Sequence, residues 1–500
     1  MEDCLLKIIG NINTLGDSPC FISRDVFYTY HDVKKRLLQI VTSLSNIQTP
    51  FNTLGIITGD DFDTYCALLA SIYLHKTYVP INRKNPVKRN LDIIQEAAVS
   101  VIFCSDDKMY AELKHQLYDG CVLLNSKDIY ENSSISDLIQ TEYISSLTAY
   151  ILFTSGSTGK PKGVPITYGN INCFVGKAVT DPLFSYSSGD RFIQMFELSF
   201  DPSVFSILVP LYFGAQFFIV PDSGIIFHHV FNFLEDHKIT VALLTPSVIN
   251  FLRPHFKEIN VPSLRYSMFC GEALHISVAS EWQTCAPNAT IHNWYGPTEA
   301  TVICLQYSLN ANTVNGVNDI VPIGKPLKNI STILLDSKDN IIYEKNVEGE
   351  LCIFGDQVIN SYWQNEKANT QSFFLHPAHQ ISFYRTGDIC FLDTNNDYQY
   401  IGRKDFQVKI NGYRMELAEI EHHAREVDFV NQAIVLKKND QQLVIFIESS
   451  NEGFTENSLI TALKKALPWY MIPTTVIIVP QMPYNHSMKI DRNKLRELIS

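Results

Sequence analysis

Short apolar runs that alternate with helix-length amphipathic stretches constrain this chain more than any other feature. "TLGIITG" (Thr53–Gly59), "VSVIFCS" (Val99–Ser105), "AYILFTS" (Ala149–Ser155) and "TVALLTP" (Thr240–Pro246) are brief and rich in β-branched or aromatic residues. Such runs read as strands buried on both faces. Between them lie stretches such as "DTYCALLASIYLHK" (Asp63–Lys76), long enough for a helix. The alternation predicts an α/β architecture, a large N-terminal domain of sandwiched sheets and helices over 1–402.

The rhythm changes at "YIGRKDFQVKINGYRMELAEIEHHAREV" (Tyr400–Val427). "FQVKI" alternates like a half-exposed strand, and Leu417, Ile420, Ala424 and Val427 then fall on one helical face. Glu416 and Glu419 sit where the first turn of that helix favours acids. Residues 403–500 therefore read as a small α+β domain.

A net charge of −12 over 500 residues argues against a long nucleic-acid groove, which needs a basic excess. The eleven cysteines include no pair at CxxC spacing and lie mostly in apolar runs, as buried reduced thiols do. The start, "MEDCLLKIIGNINTLG", carries early acids and only a short apolar run, unlike a signal peptide. With no membrane-length apolar window, the expected location is the cytoplasm, without membrane insertion.

One stretch resists both strand and helix. "TSGSTGKPKG" (Thr154–Gly163) holds four hydroxyls, three glycines and two lysines. Glycines let a backbone approach an anion, and hydroxyls with amide N–H groups encircle phosphate oxygens. It is not the Walker arrangement, because its glycines do not give GxxxxGK[ST] before a helix. "NWYGPTEATV" (Asn293–Val302) adds Tyr295 as a stacking face for a base, Thr298 as a phosphate donor and Glu299 as an oxygen ligand for Mg²⁺. "YRTGD" ends in Asp388, a carboxylate suited to two ribose hydroxyls.

These segments, with "GRKDFQVKINGYR" and "KIDRNKL" in the same order, resemble the ANL adenylating superfamily of acyl-CoA synthetases, amino-acid adenylation domains and luciferases. The resemblance runs from "TYVPINRKNPVKR" (Thr77–Arg89) to the last residues. It implies that ATP and Mg²⁺ are used to join a carboxylate to the α-phosphate, with pyrophosphate released. The acyl group then passes to a thiol. A carboxylate is already nucleophilic at neutral pH, so positioning and charge neutralisation should dominate. By resemblance, Thr154, Ser155, Gly156, Ser157, Thr158, Gly159 and Lys160 cradle phosphates. Asn293, Trp294, Tyr295, Gly296, Thr298, Asp388 and Arg403 complete the nucleotide site. Lys489 bridges the substrate carboxylate and the α-phosphate, so Lys489, Glu299 and Thr154 are the catalytic candidates. The small domain of such enzymes is mobile. Its hinge maps to Asp405, and the loop with Lys409 and Gly412 would guide the incoming thiol.

"LSFDPSVF" (Leu198–Phe205) bears on the acid. In amino-acid-activating members the aspartate of this motif, here Asp201, pairs with the α-ammonium group. A carboxylate in an apolar pocket is costly unless a cation joins it; the alternative is a structural helix cap. Motif mapping lines the pocket with Pro202, Phe205, Leu243, Met268, Cys270, Trp294, Val302 and Ile303, which offer no partner to a charged side chain. The expectation is a small apolar amino acid. "MFCGEAL", "PWYMIP" and the long C-terminal motif look closest to D-alanine:carrier-protein ligases, in which the cysteine matching Cys270 helps select D-alanine. Trp294 stands where those ligases carry a smaller residue, shrinking the cavity toward glycine or redirecting the pocket. Ser487 and Met488 replace the usual Asn-Gly before the lysine. Eleven residues after Lys489 leave no room for a carrier domain, so a phosphopantetheinylated carrier protein is expected in trans. An acyl- or aryl-CoA synthetase, and a nucleotide-binding protein without catalysis, are the competing readings.

Overall fold

The computed structural model describes residues 3–129, 137–139, 141–156, 161–310, 314–404, 407–439, 441–449, 454–483 and 490–499. The chain divides into two compact units. The larger comprises Met1–Arg83, Ile94–Leu152 and Gly163–Lys404, and the smaller comprises Lys84–Ile93, Phe153–Lys162 and Asp405–Ser500.

Each quoted apolar run coincides with a strand to within two residues at either end: Thr53–Ile57, Val101–Cys104, Thr148–Thr154 and Val241–Leu244. The stretch after the first becomes the helix Phe62–Tyr73, opened by Asp61, whose carboxylate accepts the Thr64 N–H. That is an N-cap satisfying an otherwise orphaned donor. Thr29 and Asp32 form a reciprocal capping box at the helix Tyr30–Ser45.

The strands assemble into two principal sheets. One runs Val122–Asn125, Val101–Cys104, Thr53–Ile57, Thr77–Ile81, Thr148–Thr154, Lys162–Thr167. The other has nine strands, with Thr290–Tyr295, Tyr266–Phe269, Val241–Leu244, Arg191–Gln194, Gln216–Ile219 and Pro19–Ser23 parallel through its centre. Antiparallel Leu305–Ser308 and Val26–Thr29 flank that centre. Parallel strands need both faces covered, and here the two faces feed separate cores. Leu243, Met268 and Trp294 belong to one, Leu244, Phe269 and Ile291 to the other. A third sheet, built on Ile330–Leu335, Gly349–Gly355 and Ser382–Leu392, completes the larger unit.

The smaller unit contains the hairpin Gln407–Ile410/Tyr413–Glu416, a sheet of Val430–Asn439, Gln442–Ser449 and Thr475–Val479, and the helices Leu417–Arg425 and Glu456–Ala466. Asn411 and Gly412, both at positive φ (51° and 82°), turn the hairpin, as a two-residue primed turn requires. Leu417, Ile420 and Ala424 are buried on the predicted helical face, whereas Val427 lies past the helix end. Glu419 lies in the first turn, as its position predicts. It is fully buried and paired with Arg89 at 2.6 Å.

All eleven cysteines are free thiols, with Cys121 and Cys173 only half-buried. No helix among the described residues is long and apolar enough to cross a membrane.

Candidate active site

The pocket positions converge because of strand register. Leu243 pairs with Met268, which pairs with His292; Trp294, two residues further, shares their face. The helix Pro202–Phe213 brings Phe205 to the same core. Pro202 opens that helix, where its missing N–H costs nothing, and Gly214 at φ 67° closes it. Cys270, Val302 and Ile303 are buried in this core too.

Asp201 occupies the N-cap position of that helix, yet its side chain makes no capping hydrogen bond. Its carboxylate accepts the Val302 N–H at 3.2 Å, and Thr298 Oγ1 lies 3.5 Å away. The side chain is thus turned toward the segment after Tyr295, and only 8 % of the residue is exposed. The Tyr150 hydroxyl is buried without a hydrogen-bond partner among the described residues. Burial, then Tyr78 and Asp201, push its ionisation far above the usual range.

An aromatic wall stands beside Asp201. Phe205 and Trp294 meet edge to face, with centroids 5.0 Å apart, and Trp294 meets Phe184 the same way at 5.7 Å. Phe184 stacks on Tyr186 and lies 4.7 Å from the His292 ring. His292 faces the Thr290 hydroxyl with Nε2 and the Ser308 hydroxyl with Nδ1. Burial holds its pKa down at about 4. The buried Trp294 Nε1–H has no partner among the described residues.

The turn from Gly296 to Cys304 joins two antiparallel strands and carries Glu299. A Cβ on Gly296 would lie 2.5 Å from the Val302 oxygen and 2.6 Å from Ile303 Cα, so only glycine fits. Thr301 and Val302 both adopt positive φ, 53° and 76°. For β-branched residues this costs about 1–3 kcal/mol each. Glu299 is fully buried, and its Oε1 accepts the Tyr362 hydroxyl at 2.7 Å. The Tyr384 hydroxyl lies 3.1 Å from that of Tyr362. Tyr362 escapes a reading by motif, because it lies far from Glu299 in the chain, and Tyr384 opens the "YRTGD" motif without its spacing pointing to Glu299.

Among the residues that the resemblance assigns to a nucleotide, Tyr295 donates its hydroxyl to Asp388, and Arg403 Nη1 lies 3.0 Å from the other carboxylate oxygen. The antiparallel pairing of Asp388 with Arg403 sets that contact. Burial, then the Asp388 charge, drive the Tyr295 phenol well above its usual range. Asn293 is committed to backbone, donating to the Val321 and Pro322 carbonyls.

In the smaller unit, Thr154 ends a strand and Lys162 begins the next, so the ends of the Gly- and Ser-rich run are extended rather than loop. Ser155 Oγ accepts the Glu416 N–H at 3.0 Å, and the Gly156 N–H points at Glu419 Oε2 at 3.3 Å. Lys409 lies on a hairpin strand and Gly412 at its turn. Ser157, Thr158, Gly159, Lys160, Asp405 and Lys489 lie outside the described residues.

A carboxylate oxygen is the donor Mg²⁺ takes, commonly one or two together with phosphates. Buried Glu299, oriented by the Tyr362 hydroxyl, fits that chemistry.

Comparison with known proteins gives the same direction. The family model for an AMP-binding enzyme matches residues 11–363. A D-alanine--D-alanyl carrier protein ligase of Listeria monocytogenes serotype 4b is 31% identical over 87% of this chain and 86% of its own. Tyrocidine synthase 1 of Brevibacillus parabrevis is 28% identical over 94% of this chain, which spans only 42% of that larger protein. Among solved structures, the Vibrio cholerae adenylation domain AlmE in complex with glycyl-adenosine-5'-phosphate superposes with a TM-score of 0.86 at 25% identity. The match covers 99% of this chain and 97% of that one.

Proposed function

Because the chain belongs to the AMP-binding enzyme family, we propose that it adenylates a small amino acid and passes it to the phosphopantetheine thiol of a separate carrier protein. Asp201 carries the reading. Its carboxylate is buried beside an aliphatic and aromatic pocket, and an incoming α-ammonium group would offset the cost of that charge. Fatty and aryl acids offer no such cation.

In the first step a substrate carboxylate oxygen bonds to the α-phosphorus of ATP, and the bond to the bridging oxygen breaks, releasing pyrophosphate. Mg²⁺, when bound, neutralises phosphate charge, and Glu299 is the residue to hold it. Tyr295 would bound the adenine, Asp388 the ribose, and Lys489 would sit between carboxylate and α-phosphate. The Gly- and Ser-rich run from Thr154 would enclose the other phosphates. In the second step the thiol sulfur bonds to the acyl carbon and gives up its proton, and the acyl–phosphate bond breaks to release AMP.

D-alanine is the first candidate, supported by Cys270 and by the D-alanine ligases among the relatives. Glycine is the second. The edge-to-face Trp294–Phe205 pair supports it by filling space a methyl group would need, and AlmE carries glycyl adenylate. ATP–pyrophosphate exchange with D-alanine, glycine, L-alanine and short fatty acids separates these. Exchange with a fatty acid and none with any amino acid would overturn the proposal. Lys489→Ala should abolish exchange while ATP still binds, as calorimetry would show.

A further inference from the structure

The segment Gln357–Tyr362 follows the strand Gly349–Gly355 and bonds to Glu299, Ala300, Thr301 and Ile303 of the strained turn. Gln357 Nε2 donates to the Ala300 carbonyl at 2.9 Å and also to the Ile303 carbonyl. Thr301 Oγ1 donates to the Gln357 carbonyl at 2.6 Å. The Ile359 N–H donates to the Glu299 carbonyl at 2.9 Å, and the Tyr362 hydroxyl to its carboxylate. Val302 is passed over, and its N–H goes to Asp201.

The Gln357 side chain is placed at a cost. It is 1 % exposed, and its Oε1 is buried without a partner among the described residues. Its two amide protons meet two carbonyls, so the donors are what this position needs. The clamp is itself anchored, since Asn170 Nδ2 donates to the Asp356 carbonyl at 2.7 Å and Asn369 Oδ1 accepts the Tyr362 N–H at 2.7 Å. Positive φ at two successive β-branched residues persists only where the surroundings over-determine it.

We propose that Gln357 and Tyr362 are positioning residues that make this one turn serve both substrates. Gln357 holds the backbone that aims the Val302 N–H at Asp201, and so sets the amine site. Tyr362 fixes the carboxylate that would hold Mg²⁺ for ATP. The assignment rests on the adenylation reading above.

Steady-state exchange by the full chain tests it, with Gln357→Glu, Gln357→Met and Tyr362→Phe beside the unaltered protein. Gln357→Glu keeps the size but sets a carboxylate against two carbonyls. Its KM for the amino acid should rise about tenfold, with KM for ATP within about twofold. The gap should narrow from about pH 8 to about pH 6, as the new carboxyl takes up a proton and regains a donor. Gln357→Met, which loses the donors without the repulsion, should show a smaller rise and no such pH dependence. Tyr362→Phe should leave the amino-acid KM alone and weaken, about threefold or more, the gain in ATP affinity that Mg²⁺ gives in calorimetry.

Unchanged KM values in the Gln357 variants, or equal rises for both substrates with a lowered melting temperature, would overturn the proposal. So would an unaltered Mg²⁺ effect in Tyr362→Phe. Absence of amino-acid-dependent exchange in the unaltered chain would defeat the functional reading instead.

Discussion

Two flanks of Asp201 are held by different physics. The aromatic flank, Phe205 with Trp294 and Phe184 behind it, is buried ring against ring, and its energy is mainly dispersion and removal of apolar surface from water. The other flank, Gly296–Cys304, has strained backbone and depends on directed hydrogen bonds from Gln357 and Tyr362. A packed wall measures the size of a side chain and tolerates graded change. A hydrogen-bonded turn fixes where an N–H and a carboxylate stand, and fails when one donor is replaced. On the proposed reading, size selection and charge recognition are therefore separable.

The largest break should come where the flanks meet. Asp201→Ala removes the proposed ammonium partner, and kcat/KM for the amino acid should fall about a hundredfold or more, given about 3–5 kcal/mol for a broken buried pair. Unchanged use of glycine and alanine would show that the carboxylate does not read the amine. Next, Trp294→Ala acts on the packed flank. Unfolding in denaturant should show a loss of about 3 kcal/mol, while an exchange panel should shift toward larger apolar amino acids. A panel that stays confined to the original substrate would place the size limit elsewhere.

The smallest effect concerns His292, which braces the wall. Its pKa is about 4 in the folded protein against an ordinary 6.5. The unfolded state thus binds the proton more readily, and the contribution of His292 is complete above about pH 6.5 and is lost as pH falls toward 4. Between pH 7 and pH 5 this amounts to about 2 kcal/mol. His292→Gln should flatten that part of the stability curve relative to the unaltered chain, read from denaturant midpoints at each pH. Identical slopes would mean that the ring does not remain neutral in the wall.

The contrast between the flanks also explains how far each was legible. Phe205, Leu243, Met268, Cys270 and Trp294 are named through the family resemblance, and strand register then sets Leu243, Met268 and Trp294 on one face. Sequence periodicity finds the helix Phe62–Tyr73 and the buried face of Leu417, Ile420 and Ala424. The clamp is invisible that way. Gln357 and Tyr362 reach their partners across 54 and 63 positions of chain, and "DQVINSYW" carries no spacing that points to a turn so distant.

By itself the amino-acid sequence determined the alternating α/β character, the strand and helix positions and the order of the phosphate- and nucleotide-type motifs. Those are properties of periodicity, capping and residue chemistry over a few neighbours. Only the tertiary structure decided that Asp201 turns from its own helix toward Val302, that Glu419 is buried with Arg89, and that a remote glutamine holds a strained turn in place. Each depends on where distant backbone carbonyls and N–H groups come to stand once buried, and burial is what makes those hydrogen bonds obligatory.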